Sequence, residues 1–391
     1  MQTAPLPDFA EAQARAAAWL AAWDRQGIHR TASAGDHAGA EWLGREAMAL
    51  GAKVWIEEFA LDRLDPVECF VEFGVRQLAA VPVFDASATD AEGIAGRLGA
   101  IGSETEIGVA ELSPRAVYTG ELERIRRDSR HRALVVVCAG DRPGMGLLNA
   151  EQFRSPYGPP AVHVSSTDRP SVFEAIAQRR PARLVSICKR KPTKARNVVV
   201  TLPGTQRNRP PLVVMTPRSS WWQSTAERGG GIVCWLESLR ALIEAAPACD
   251  VVFTANSGHE LGHLGLDDFV ARRPGWDRAV AQGGATWVHY GANIGAVDGQ
   301  LSVVSPADDL RELAALELAS AGQPPDALAP KSLVPSGETR DIHRAGGRYV
   351  TLVGTSPFFH LPQDRWPHSV DADAVARIAI GMARLSQRLT R

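Results

Sequence analysis

Two kinds of apolar pattern alternate along the second half of the chain. Short continuous runs, "NVVVTLPG", "PLVVMTP", "DVVFTAN", "ATWVHYG" and "RYVTLVG", are bounded by Gly, Pro or Asn. Longer stretches between them carry apolar residues at helical spacing. In "GIVCWLESLRALIEAA" the residues Ile232, Trp235, Leu236, Leu239, Leu242 and Ile243 share one face. "GLDDFVARRP", "LRELAALELASAG" and "DADAVARIAIGMARLSQRL" read as further helices. Strands that are apolar on both faces, separated by amphipathic helices, predict a largely parallel sheet covered on both sides. Near the start, helices are expected over 8–24 and 37–51, followed by the strand "AKVWIEEFAL". Residues 66–192 lack this alternation. They hold short β-like pieces, "LAAVPVF", "RAVYTG", "RALVVVCAG" and "PAVHVS", with one helical stretch, "SVFEAIAQRR". They are expected to form a separate β-rich domain, inserted between 1–65 and 193–391 of a discontinuous α/β domain. The basic run "KRKPTKAR" (189–196) is expected to be a solvated hinge at the boundary.

A length of 391 residues agrees with two to three domains. The net charge of -1, from 43 basic and 44 acidic residues, gives no global field that favours nucleic acid or an anionic membrane. No apolar stretch is long enough to span a bilayer. The first residues form an amphipathic pattern without a basic leader, unlike a signal peptide. Five scattered cysteines, without a Cys-x-x-Cys pair, read as small buried hydrophobes in a reducing compartment. A cytoplasmic protein is the expectation.

Ligands of parallel sheets bind beyond the carboxyl ends of the strands. The residues to inspect are therefore Arg218-Ser219-Ser220-Trp221-Trp222, Ser257 to Glu260, His289 to Asn293, and Ser356 to His360. The second group opens His259-Glu260-Leu261-Gly262-His263, an H-E-x-x-H pattern in which His259 and His263 would bind zinc from one helix. Gly258, Gly262 and Gly265 oppose such a helix. Gly229-Gly230-Gly231 lacks the Lys-Ser/Thr of a phosphate loop, and close backbone approach at a helix start is expected there instead.

The order of segments resembles the M28 family of zinc aminopeptidases and its relatives, including the glutaminyl cyclases. The stretches that carry the likeness are "HRTASAGDHAGAEWLGREAMALGAKVWIEEF", "ARNVVVTLPGT" and "FFHLPQDRWPHSVDADAV". It covers nearly the whole chain, and residues 66–192 are similar to the protease-associated domain often inserted there. The resemblance implies a three-layer α/β/α fold with a mostly parallel mixed sheet, of zinc exopeptidase type. It also implies a ligand set. The bridging carboxylate corresponds to Glu227, a further ligand to Glu260 and the last ligand to His360. The family's His-x-Asp reads Arg218-Ser219-Ser220 here, and its later ligand Asp falls at about Ala292. The two lost ligands belong to one ion, so one zinc is implied. The Glu-Glu pair of the family becomes His259-Glu260, which gives His259 the role of proton acceptor.

The remaining roles follow from that frame. Arg218 is expected beside the vacated ion position, holding an anionic group or the oxyanion. Trp221 and Trp222 are expected to wall the substrate pocket. Glu338, Arg340 and His343 lie where the family carries a substrate-side loop, and His289 and Asn293 are expected to line the pocket. Asp364 would orient His360, with His263 behind the site. The implied activity is single-zinc hydrolysis of an amide or peptide-like C–N bond in a small molecule or short peptide. The alternatives are a catalytically inactive binding protein, an H-E-x-x-H metalloprotease, or a cyclase or lyase on the same metal. No nucleic-acid or membrane partner is expected, and self-association is left open.

Overall fold

The computed structural model describes residues 9–206 and 208–391. Residue 8, the expected first residue of the first helix, lies outside them. The chain begins with helices α1 (Phe9–Asp24) and α2 (Ala34–Ala49) and the long strand β1 (Val54–Phe73). It continues through β2 (Arg76–Pro82), β3 (Ile94–Ala100), β4 (Ile107–Leu112), α3 (Glu121–Arg127), β5 (Ala133–Cys138), β6 (Ala161–Val164) and α4 (Arg169–Ala177). The second long strand, β7 (Pro181–Leu202), leads back. Then come β8 (Leu212–Pro217), α5 (Gly230–Ala245), β9 (Val251–Asn256), α6 (Leu264–Ala271), β10 (Thr286–Tyr290) and β11 (Leu301–Val304). The chain ends with α7 (Asp308–Ser320), β12 (Ala327–Leu328), α8 (Thr339–Arg344), β13 (Arg348–Gly354) and α9 (Ala372–Leu389).

The main sheet has the order β1-β7-β9-β8-β10-β13-β11-β12. Its centre, β9-β8-β10-β13, is parallel, while β1, β7 and β11 join in antiparallel fashion. Every residue of β8 and β9 is buried, which accounts for their unbroken apolar runs. One face of the sheet packs on Trp19, Trp23, Trp235, Leu236, Leu318 and Ile378, contributed by α1, α5, α7 and α9. The other face packs on Phe269 and Ile342 of α6 and α8. This is a three-layer, mixed α/β fold with a mostly parallel sheet. No helix among the described residues is long and apolar enough to cross a membrane.

β1 and β7 pair along nearly their whole lengths and run from the main sheet into the smaller β-rich part. The positions expected as boundaries, near residues 66 and 193, fall inside these two strands. "KRKPTKAR" is therefore part of a strand, not a hinge. Its charges answer acidic neighbours: Lys194 Nζ lies 2.9 Å from Glu58, and Arg196 pairs with both Glu58 and Glu41. "RAVYTG" also differs from its expected β form. Pro114–Val117 makes a short 3-10 turn, consistent with a proline at a first helical position. The glycine run before α5 does serve close approach. A Cβ at Gly230 would lie 2.0 Å from the Ile294 carbonyl oxygen, and one at Gly231 2.7 Å from Thr216 Oγ1.

Candidate functional site

The turn before α5 places Glu227 at the carboxyl end of the sheet. The turn is held at its start by Asp364, whose carboxylate accepts from the backbone N–H of Ala226 (2.7 Å) and Glu227 (3.0 Å) and from Ser369 Oγ (2.6 Å). Burial raises the Asp364 pKa to about 6 against these hydrogen bonds. Asp364 was expected to orient His360. It instead positions Glu227 through the backbone, and the partner of His360 Nδ1 is the Leu147 carbonyl, at 2.6 Å. That contact turns His360 Nε2 toward Glu227 Oε1, 3.2 Å away.

The same carboxylate oxygen lies 2.7 Å from Arg228 Nη2. Glu227, Arg228 and His360 are each about 1% exposed. Burial alone would push the Glu227 pKa up, but the charges of Arg228 and then His360 overcome it and hold the carboxyl at about 2. Arg228 donates Nε–H to the Ser219 carbonyl at 2.8 Å, yet neither Nη1 nor Nη2 has an aligned hydrogen-bond acceptor.

Glu260 takes no part in this contact. Its Oε1 accepts from Thr31 N and Thr31 Oγ1, each at 2.7 Å, and its Oε2 accepts from Ser219 Oγ at 2.6 Å. Burial raises its pKa, opposed by these bonds. The expected shell of Glu227, Glu260 and His360 around one zinc is thus not assembled. Two members meet, the third is held by hydroxyls and a backbone N–H, and a guanidinium lies on the shared oxygen. Among the described residues, no three His, Cys, Asp or Glu side chains are grouped so as to hold a metal ion. The residues as arranged do not fit that ion.

The H-E-x-x-H alternative meets a backbone obstacle. Gly258, Gly262 and His263 have φ of 83°, 79° and 63°, so only a single turn forms over His259–Leu261. His263 Nδ1 is engaged by Asp341 Oδ2 at 2.6 Å. The His259 and His263 rings lie near each other, 5.1 Å between centroids, but Glu260 points away into its own cradle.

A cavity of about 470 Å³ opens over this region, lined by His259, His289, Asn293, Phe359 and, from the β-rich part, Arg115 and Tyr118. His259 Nδ1 lies 3.9 Å from Glu338 Oε1, and neither atom has a hydrogen-bond partner. Burial, then Arg228, push the His259 pKa well below the usual histidine value. Burial raises Glu338 to about 7. His289 Nδ1 contacts Thr351 Oγ1 and Thr339 Oγ1, and burial lowers its pKa to about 3. Asn293 donates its Nδ2–H to the Gly354 carbonyl and its backbone N–H to the Glu227 carbonyl, leaving Oδ1 bare. Buried polar atoms are normally paired. Here Glu227, Arg228, His259, His263, His289, Asn293 and Glu338 each carry buried atoms without an aligned hydrogen bond.

Five expected residues lie elsewhere. Arg218 is fully buried and paired with Asp36, and its Nη2 donates to the Arg196 carbonyl, so it faces no substrate. Trp221 is buried against Phe84 and donates to Asn149 Oδ1. Arg340 pairs with Glu151. His343 reaches Tyr349 Oη, on the far side of the sheet from the core of α5 and α9. Trp222 does not line the cavity either. It donates to the His360 carbonyl at 2.8 Å and so fixes that loop. The residues not foreseen are Arg228, Thr31, Tyr118 and the Leu147 carbonyl. Only Arg228 left a trace in the sequence: a charged pair, Glu227-Arg228, directly before a glycine run that starts a buried helix.

No family model matches the sequence, and no curated protein matches it. Solved structures do resemble the fold. A zinc aminopeptidase from Bacillus subtilis is 15% identical, with a TM-score of 0.75 over 97% of this chain and 95% of that one. A peptidase M28 precursor from Shewanella amazonensis is 13% identical, with a TM-score of 0.71 over 98% and 96%. A glutaminyl cyclase from Bacteroides thetaiotaomicron is 10% identical, with a TM-score of 0.50 over 98% of each chain. Likeness at these identities speaks for architecture, and the chain has the mixed α/β fold of the zinc exopeptidases.

Proposed function

We propose that this protein is a hydrolase that cleaves an amide or peptide-like C–N bond of a small substrate, with His259 as proton acceptor. The observation that carries this reading is His259 itself. Its ring lines the cavity, its Nδ1 faces Glu338 Oε1 at 3.9 Å, and neither atom has a hydrogen-bond partner. A histidine backed by a carboxyl group is a competent general base when a water can reach its open edge. In the proposed reaction the water oxygen bonds to the substrate carbonyl carbon and its proton passes to His259. The C–N bond then breaks, and His259 returns the proton to the departing nitrogen. A carboxylic acid and an amine are the products. The fold of zinc aminopeptidases and of a glutaminyl cyclase supports the reaction class by analogy alone.

A second reading is favoured by one contact. Glu227, the ion-bridging position of the resemblance, is paired with Arg228. A pocket whose charge is compensated this way suits a protein that binds such a molecule without cleaving it. The two readings separate on turnover. Wild type and His259→Ala would be screened against N-acyl amino acids, dipeptides and aryl amides. The hydrolase reading expects one class to be cleaved, with kcat lower by about 10²–10⁴-fold in the variant. Saturable binding with no product would establish the second reading. Equal rates in the two proteins would remove His259 from the chemistry.

A further inference from the structure

We infer that the Arg228 guanidinium takes the place of the metal ion in this site, and that its partnerless Nη1 receives the carbonyl oxygen of the substrate as negative charge develops there. The catalytic part rests on the hydrolase reading above; the substitution of arginine for the ion does not.

Three observations lead to this assignment. The first is position. Glu227 Oε1 lies 3.2 Å from His360 Nε2 and 2.7 Å from Arg228 Nη2. Two side chains that the resemblance gives to one ion meet, and a cationic group already lies on the carboxylate oxygen between them. An ion bound to Glu227 and His360 would have to share that oxygen with a guanidinium of like charge. The third expected ligand, Glu260, has both oxygens engaged by Thr31 and Ser219. The second observation is incompleteness. A guanidinium offers five N–H donors. Arg228 is about 1% exposed, and of its nitrogens only Nε has an aligned acceptor, the Ser219 carbonyl. A buried arginine that serves structure alone is normally saturated by acceptors. The third observation is location. Asn293 and Phe359 line the cavity; Asn293 donates its backbone N–H to the carbonyl of Glu227, the residue before Arg228, and Phe359 precedes His360. A guanidinium whose Nη1 has no acceptor, in the turn that borders the cavity, has the attributes of an oxyanion donor. Arg228 keeps its proton throughout; it stabilises charge and forms no bond to the substrate.

The test has two arms on the full chain. In the first, the wild-type protein is titrated with zinc against a colorimetric zinc indicator. Uptake below roughly a tenth of an equivalent is expected. About one equivalent, lost in Glu227→Gln or His360→Ala, would overturn the inference whether or not any substrate is known. In the second arm, a cleaved substrate is followed with and without a strong chelator. The chelator should leave kcat unchanged. Arg228→Gln should lower kcat by about 10²–10³-fold with little change in KM, as loss of an oxyanion donor does, and Arg228→Lys should restore part of it. Full kcat in a folded Arg228→Gln protein would remove the catalytic role while leaving the hydrolase reading intact. A complete lack of turnover would sink the hydrolase reading, and the zinc titration would still decide the first claim. If Arg228→Gln does not fold, the chelator and zinc measurements on wild type remain decisive.

Discussion

Among the described residues three arginines are almost wholly buried, Arg126, Arg218 and Arg228; the last two, each 2.7 Å from a carboxylate, do opposite things. Arg218 sits beneath the sheet end with Asp36. Its Nη1 donates to the Asp36 carbonyl and its Nη2 to the Arg196 carbonyl. Asp36 Oδ2 in turn accepts from Ala32 N and Ser257 Oγ. This pair ties α2, β7 and β8 together and has little left to offer a ligand. Arg228 and Glu227 are equally buried but lack that surrounding shell. Neither the terminal nitrogens of Arg228 nor the oxygens of Glu227 have aligned hydrogen bonds. Burial and an ion pair therefore do not distinguish a structural arginine from a working one. The state of the remaining donors does.

Removing the arginine is the sharpest way to break this comparison. Arg218→Met leaves Asp36 buried without its counter-ion, and unfolding in urea should report a loss of about 3–5 kcal/mol. A loss below about 1 kcal/mol would mean that the pair is not structural. The next effect in size concerns pH. Glu338 is held at about 7, against 4.5 when unperturbed, by burial. A carboxyl whose pKa is higher in the folded state contributes fully below its unfolded pKa and loses that contribution as pH rises through the folded one. Stability should therefore fall between pH 4.5 and about 7, by roughly 3 kcal/mol from this group. Glu338→Gln should flatten that part of the profile; an unchanged slope would contradict the burial argument. The smallest effect is the difference in stability between the two arginine variants. Arg228→Met also leaves a buried carboxylate, Glu227, without its strongest counter-charge, so its cost should lie within about 1 kcal/mol of that of Arg218→Met. A cost near zero for Arg228→Met would contradict the charge assignment at Glu227.

How much the sequence revealed follows the same physics. Continuous apolar runs such as "PLVVMTP" and "DVVFTAN" are buried on both faces, so their pattern leads directly to a parallel sheet with helices on each side. The segments at the strand ends were legible for the same reason, and Glu227 and His360 do meet. "KRKPTKAR" misled because its charges are matched by Glu58 and Glu41 from other elements, which no local pattern contains. Glu260 misled more deeply. Its partners, Thr31 and Ser219, are 229 and 41 residues away and are neutral hydroxyls, which leave no spacing or charge signal. Arg218 stands where the resemblance has its lost His-x-Asp, which gives it prominence, while Arg228 lies in no strand-end segment that the sequence singles out. The sequence holds nothing that announces Asp36 as its partner, since that contact spans 182 residues.

The central claim is that a guanidinium, not an ion, lies against Glu227 and His360. It is tested most directly by a crystal structure of the protein grown with millimolar zinc, with data collected at the zinc absorption edge. The account predicts the Arg228 side chain on Glu227 Oε1 and no anomalous peak within reach of Glu227 and His360. A peak bonded to both side chains, with Arg228 displaced, would contradict it.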